Sequence, residues 1–414
     1  MEKTTQAQFE YSSPRAFSRT DNSFLGAWWW TVDRAMLSCV LCLMLFGVAL
    51  VATASPAVAQ KIGVGDFHFL KKHLIFLIPS IAFVFGISFL SSRWVWRVAS
   101  ILFLVTCVAM LGVLAYGQEV KGATRWINVM GFSIQPSEFL KPSFAVVAAW
   151  LMALQNKTMK RAEGYHVEGA KALIFNGFGF SIGLYMLCLV LLLLQPDLGM
   201  SVVLTSVFAA QIFLVGLRFR YLAILAGAGV AALGAAYLTF HHVRSRIDRF
   251  LYPESGDNYQ VERSLDAIRQ GGLVGVGPGQ GTEKMSIPDA HADFIFSVLA
   301  EEMGLFFSFI LIGIFLFVLL RGFRRLQETQ DVFTVLAAGG LLFMFGVQSL
   351  IHMGSAVNLL PAKGMTLPFI SYGGSSMLSM SIAMGMVLAL TRQKGRKSIS
   401  RSSITMRRIK HGVE

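Results

Sequence analysis

The feature that most constrains this sequence is a succession of ten apolar stretches, each close to the roughly 20 residues that a helix needs to cross the ~30 Å hydrocarbon core of a bilayer. They run near 35–56, 70–91, 95–116, 138–155, 172–194, 199–217, 221–240, 292–320, 331–354 and 369–391. Backbone polar groups in lipid must be satisfied within the segment itself, so stretches of this kind fold as helices. The expected fold class is all-α, a polytopic integral membrane protein of about ten transmembrane helices. Composition agrees: only 14% of residues are charged, against about 25% in soluble domains.

An even number of spans puts both termini on one side, and the distribution of Lys and Arg says which. The N-terminal arm, the alternate connections (Arg93 and Arg97; Lys157 to Lys171; Arg218 and Arg220; Arg321 to Arg325) and the C-terminal tail together carry 23 of the 36. The opposite face carries 13, six of them in one long loop. Positive residues mark the cytoplasmic side. The expected organisation is a cytoplasmic arm 1–34, a transmembrane domain 35–391 with one large extracytoplasmic loop at about 241–290, and a basic cytoplasmic tail 392–414. The formal net charge of +13 thus reflects topology and contact with anionic membrane lipid, with no nucleic-acid partner expected. Glu2, Glu10 and Asp21 make the first 30 residues unlike a cleaved signal peptide, so the first helix is expected to serve as an uncleaved insertion signal. Cys39, Cys42, Cys107 and Cys188 all lie in apolar stretches, where thiols act as small hydrophobes.

The polar residues that interrupt this pattern carry the chemistry. In the long loop, Val261, Leu265 and Ile268 recur at helical spacing among charges and predict a short interfacial helix. The glycine-rich stretch 271–281 then returns the chain to the membrane. Glu138 and Lys141, three apart, share a helix face and can form an ion pair. Arg125 stands beside Trp126, an amphipathic ring of the type that anchors at interfaces. Gln195-Pro196-Asp197-Leu198-Gly199 reads most simply as a tight external turn, in which Asp197 could equally cap the next helix or face a central cavity. Lys363 lies between Pro361 and Pro368, and Ser371 to Ser376 follow it into the membrane. That pattern suits a re-entrant or broken helix offering backbone N–H groups to an anion.

Asp293 marks the mouth of the eighth span, where a carboxylate is costly unless it faces water, a partner or a substrate. Asp293, Ser297 and Glu301 fall at i, i+4 and i+8, which would put two acids on one helix face about 12 Å apart. A transporter, a membrane enzyme acting on a lipid headgroup, and a scaffold all fit a polytopic chain. A transporter keeps its decisive charges near the midplane. Arg125, Lys141, Asp197, Asp293 and Lys363 instead sit at external helix ends, which favours the enzyme.

Five ordered motifs resemble one family: Lys121-Gly122-Ala123-Thr124-Arg125-Trp126-Ile127, Gln135-Pro136-Ser137-Glu138-Phe139-Leu140-Lys141, Gln195 to Gly199, Ala290-His291-Ala292-Asp293-Phe294-Ile295-Phe296 and Lys363 to Pro368. The family is that of the SEDS proteins (shape, elongation, division and sporulation), and the likeness runs from the first span to the last. It implies a bacterial peptidoglycan glycosyltransferase, in the division branch, that polymerises lipid II (undecaprenyl-pyrophosphate disaccharide-pentapeptide) into β-1,4 glycan strands. It implies Asp293 as the essential acid and places Trp126, Glu138, Lys141 and Lys363 at the active cavity. A class B penicillin-binding transpeptidase and other divisome membrane proteins are the implied partners, and the inner membrane at the septum the implied location. A lipid II flippase, a division scaffold and a rod-elongation polymerase are the competing readings.

The reaction inverts the sugar's anomeric centre and needs a base for the attacking 4-hydroxyl, the role expected of Asp293. The departing pyrophosphate calls for cations, here Lys363 first and then Lys141 and Arg125, or for a bound divalent metal such as magnesium or manganese. No organic cofactor is expected. His291 is expected to orient the loop or hydrogen-bond Asp293. Ala292 and Asp289 stand where the family commonly has Thr and Glu, so a hydroxyl directly before the acid is not required in this chain.

Overall fold

In the computed structural model the chain is described for residues 23–120, 123–129, 131–162, 177–216, 259–361 and 364–393, with isolated residues between 227 and 248. Met1–Arg34 and Arg392–Glu414 form one unit, to which the helix α1 (Phe24–Thr31) belongs. Ala35–Thr391 form the other. It contains α2 (Arg34–Ala59), α3 (His68–Ser88), α4 (Ser92–Tyr116), strands β1 (Gln118–Val120), β2 (Ala123–Val129) and β3 (Phe132–Ile134), and α5 (Pro136–Ala162). These are followed by α6 (Gly177–Leu194), α7 (Leu198–Leu214), α8 (Tyr259–Gly271), α9 (Ile295–Gln327), α10 (Val332–Ala356) and α11 (Gly374–Leu390).

Seven of these helices are long and apolar enough to cross a membrane, and α7 and α11 are shorter apolar helices. Together they account for nine of the ten expected spans. The tenth, 221–240, falls largely outside the described residues. The chain is an all-α, multi-pass membrane protein. Burial separates its centre from its rim: 78% of the most apolar stretch of α5 and 67% of that of α10 is buried, against 22% for α3 and 28% for α6 and α9. A helix that is apolar all round but covered by protein is a bundle core, whereas the outer ones keep Leu, Ile and Phe for lipid. α11 is buried along its whole length and packs on α3 through small residues, a Cβ on Gly385 lying 2.9 Å from that of Ile87. Close approach through small residues is how membrane helices gain van der Waals contact without a hydrophobic drive.

Two features at the loop end of the bundle were not expected. A three-stranded antiparallel sheet, in the order β1-β2-β3, replaces the plain connection between α4 and α5. Gly131, at φ +82°, turns β2 into β3 as a tight hairpin requires. The second concerns α9. At 33 residues it would measure about 50 Å, well beyond a bilayer core, and it breaks at Gly304 (φ 78°, ψ 178°). The glycine-rich stretch runs into this break. Val276 and Gly277 donate their N–H groups to the carbonyls of Glu301 and Glu302 (3.0 and 2.9 Å), while Leu305 and Phe306 donate to Gly272 and Leu273 (3.0 and 3.2 Å).

The stretch thus satisfies the backbone groups that the break sets free, and glycine is needed for the approach. A Cβ on Gly271 would lie 1.9 Å from the Ala300 oxygen, and one on Gly304 would lie 2.4 Å from that of Leu273. Gly304→Ala should therefore cost about 1–3 kcal/mol for its backbone conformation alone, before any clash. Thermal unfolding of the purified protein should show the loss, whereas Gly313→Ala, with nothing near its Cβ, should leave the melting temperature close to wild type.

Candidate active site

Asp293 lies two residues before α9, in a turn in which its N–H and that of Ala292 both reach the Asp289 carbonyl (3.0 and 2.9 Å). Its carboxylate faces the backbone of Gly364, where a Cβ would lie 3.3 Å from Oδ2. Segment 364–373 is a non-helical insert driven deep into the bundle: Leu367, Phe369 and Ile370 are all buried, and Gly47 of α2 leaves room for the Phe369 carbonyl. This matches the expected re-entrant segment. Its backbone N–H groups, however, do not wait for an anion. Those of Leu367, Ile370, Ser371 and Tyr372 are taken by the Ser371 hydroxyl, the Leu367 carbonyl (twice) and the His291 carbonyl.

That last bond (2.9 Å) and the bond from the Ser371 hydroxyl to the Ala292 carbonyl (2.7 Å) pin the two residues before Asp293 to the insert. Ser371 thereby joins the site as a brace. Lys363, adjacent to Gly364 in sequence, falls outside the described residues. His291 is buried and packs its ring on Phe69 (centroids 4.0 Å apart) and beside Tyr372 (5.1 Å), with no hydrogen bond at Nδ1. Burial lowers its pKa to about 4, against the opposing pull of Asp289. His291 is therefore neutral near pH 7. Its ring orients the loop by packing, and the hydrogen bond joining it to the insert comes from its backbone.

Beneath the insert lies the expected ion pair. Glu138 and Lys141, on the first turns of α5, are 2.7 Å apart and almost wholly buried. Lys141 also donates to Gln348 Oε1 of α10 (2.8 Å), and the other end of that amide donates to the Thr366 carbonyl (3.2 Å). The Thr366 hydroxyl contacts that of Ser376 on α11 (2.5 Å). Lys141 thus reaches the insert through Gln348, and burial keeps its ammonium from solvent.

A second group gathers at the turn between α6 and α7. Asp197 caps α7, accepting from the Met200 N–H (3.3 Å), and also accepts from Gln135 (3.1 Å). Of the two readings open for Asp197, the structure realises the cap. The Arg125 guanidinium donates to the Gln195 carbonyl (3.0 Å) and to that of Pro196, latching β2 to the turn. Trp126, on the same strand, is exposed. The two groups meet at the start of α5, where Ser137, the partner of Gln135, precedes Glu138.

The alignment of Asp293, Ser297 and Glu301 on one helix face does not hold, because the helix begins only at Ile295. The Ser297 hydroxyl contacts that of Ser264 on α8 (2.5 Å). Glu301 accepts the N–H groups of Glu283 (2.7 Å) and Lys284 (2.9 Å). The sequence reading missed a buried ion pair between Lys284 and Glu302. Its signal was present: two consecutive acids in an apolar run, and one Lys closing the glycine-rich stretch. Among the described residues no group of three His, Cys, Asp or Glu side chains could hold a metal ion. A magnesium or manganese ion for the pyrophosphate would therefore have no such three-residue group to hold it among these residues.

The chain as a whole has relatives among known proteins. The family described as "Cell cycle protein", FTSW_RODA_SPOVE, matches residues 33–396. The chain belongs to this family. It is the family that the five motifs resemble. Among its members, the "Probable peptidoglycan glycosyltransferase FtsW" of Caulobacter vibrioides is 42% identical over 92% of this chain and 95% of its own length. The protein of the same name from Coxiella burnetii is 34% identical over 87% and 96%. Stage V sporulation protein E of Bacillus subtilis is 30% identical over 87% and 97%. Among solved structures, the Thermus thermophilus rod shape determining protein RodA has a TM-score of 0.63 at 25% identity, covering 88% of this chain and 97% of RodA. A chain from a structure titled "Structural coordination of polymerization and crosslinking by a peptidoglycan synthase complex" shares the fold, with a TM-score of 0.69 at 24% identity over 87% and 97%.

Proposed function

We propose that this chain is a peptidoglycan glycosyltransferase that polymerises lipid II into β-1,4 glycan strands during septal wall synthesis. The observation that carries this reading is the braced carboxylate of Asp293 in a chain 42% identical to a relative named for that activity. Asp293 takes the proton of the attacking sugar 4-hydroxyl as its oxygen bonds to the anomeric carbon of the second lipid II. The bond from that carbon to phosphate breaks, and undecaprenyl pyrophosphate leaves. One inversion converts the α-phosphate into a β-glycoside. A positioned base of this kind contributes a factor of about 10² to 10⁴.

Lys363 is assigned to the departing pyrophosphate, because it is next in sequence to Gly364, which lies against Asp293. Lys141 is assigned a positioning role through Gln348 and Thr366, which fits a buried, ion-paired ammonium better than direct contact does. Arg125 and Asp197 are assigned to holding the neighbouring turn, and Trp126 to the substrate's path beside it. A class B penicillin-binding transpeptidase fits as the partner that crosslinks the strands. The septum of the inner membrane, with both chain termini cytoplasmic, is the proposed location. Depletion followed by microscopy tests the division role: filamentous cells support it, and rounded cells would place the enzyme in elongation.

A further inference from the structure

We infer that Lys284, Glu301 and Glu302 are positioning residues that hold Asp293 in place by closing segment 283–294 into a hoop across the first turns of α9. The inference rests on the reading of Asp293 as the base. Its physical basis is the way both ends of this segment are tied to one short helical piece, Ile295 to Met303, ahead of the break at Gly304.

One end of the hoop is covalent, since Asp293 runs directly into α9. The other is made by two carboxylates pointing back from it. Glu301 spends both oxygens on the backbone N–H groups of Glu283 and Lys284, and its carboxylate lies so close to Gly281 that a Cβ there would be 2.8 Å away. A carboxylate that accepts two adjacent N–H groups acts as a side-chain cap and fixes the direction of the chain leaving it. Glu302 pairs with the Lys284 ammonium, which also donates to the Thr53 carbonyl of α2 (3.1 Å). Lys284 and Glu302 are both buried, so the pair is poorly screened and has no solvent to fall back on.

Two more contacts complete the hoop. Lys61, after α2, donates to the Ile287 carbonyl (3.4 Å), and the glycine-rich stretch is bonded into the α9 break. On the opposite side, Ser371 and Tyr372 brace residues 291 and 292. Asp293 is thus gripped between the insert on one side and the clamp on α9 and α2 on the other. Residues 271–281 are bonded to α9 only as far as Gly277, and the carboxylate clamp continues that hold to Glu283 and Lys284, where the segment begins. A misplacement of about 1 Å can cost roughly 10²-fold in rate.

The experiment uses the full chain in complex with its transpeptidase partner, with lipid II as substrate. Lys284→Met, Glu302→Gln and Glu301→Gln are compared with Lys284→Arg, the swap Lys284→Glu/Glu302→Lys, and Asp293→Asn. In Glu301→Gln one accepting oxygen becomes an NH₂ that opposes a backbone N–H. The first three should lower kcat by roughly 10- to 100-fold with KM unchanged, per mole of complex that remains folded on size-exclusion chromatography. Lys284→Arg should stay near wild type, and the swap should recover part of the rate. Should Lys284→Met fail to fold, Lys284→Arg, the swap and Glu301→Gln still decide. Wild-type kcat in Glu302→Gln and Glu301→Gln, or losses that only track the folded fraction, would overturn the clamp. Activity surviving in Asp293→Asn would instead remove the base assignment beneath it.

Discussion

Lys141→Met should destabilise the folded protein by about 3–5 kcal/mol, the usual consequence of removing one member of a buried ion pair. The methionine fills most of the space but leaves the Glu138 carboxylate without its counter-charge and Gln348 Oε1 without its donor. An uncompensated charge in a closely packed bundle has no water to turn to, so the cost exceeds what the intact pair contributes. Lys141→Met/Glu138→Gln should recover most of the stability, because removing both charges removes the imbalance. Thermal unfolding in one detergent separates the two variants. Equal melting temperatures for Lys141→Met and wild type would mean that Glu138 has another counter-charge. The single variant should also lose polymerase activity, since Gln348 links Lys141 to Thr366 of the insert beside Asp293.

The helices were legible because the bilayer imposes a length and an apolar composition that few other structures share. Glu138 and Lys141 were legible for a similar reason: helix periodicity alone puts residues three apart on one face, and the 2.7 Å pair follows. What escaped were contacts between segments distant in sequence. Periodicity extended backwards to Asp293 put it on a helix face with Glu301, but the turn at Asp289, whose φ is +54°, ends that periodicity before Ile295. The break at Gly304 was invisible for a related reason. An isolated glycine in an apolar run is common in membrane helices, and only the glycine-rich stretch lying against it shows why a side chain is excluded there. The small sheet was hidden because Thr124-Arg125-Trp126-Ile127-Asn128-Val129 shows no strict alternation of polar and apolar residues, and Arg125 beside Trp126 has the look of an interfacial pair. Ser371 was singled out as a hydroxyl entering the membrane, but its two bonds, to Leu367 and Ala292, depend on the fold of both loops.

The largest catalytic effect is expected at Asp293. Asparagine keeps the size of the side chain and its place against Gly364, but cannot take the proton from the sugar hydroxyl. Asp293→Asn should therefore fold as wild type does, retain lipid II binding and lose about 10² to 10⁴ in polymerisation rate. Retained binding distinguishes loss of a base from loss of the site. The most direct test of the whole account incubates purified wild-type and Asp293→Asn protein, each with the proposed transpeptidase partner, with lipid II, and follows both glycan strands and released undecaprenyl pyrophosphate. The account predicts long strands and stoichiometric release from wild type and almost neither from the variant. Strands formed at the wild-type rate by Asp293→Asn, or wild-type protein that moves lipid II across vesicles without joining it, would contradict it.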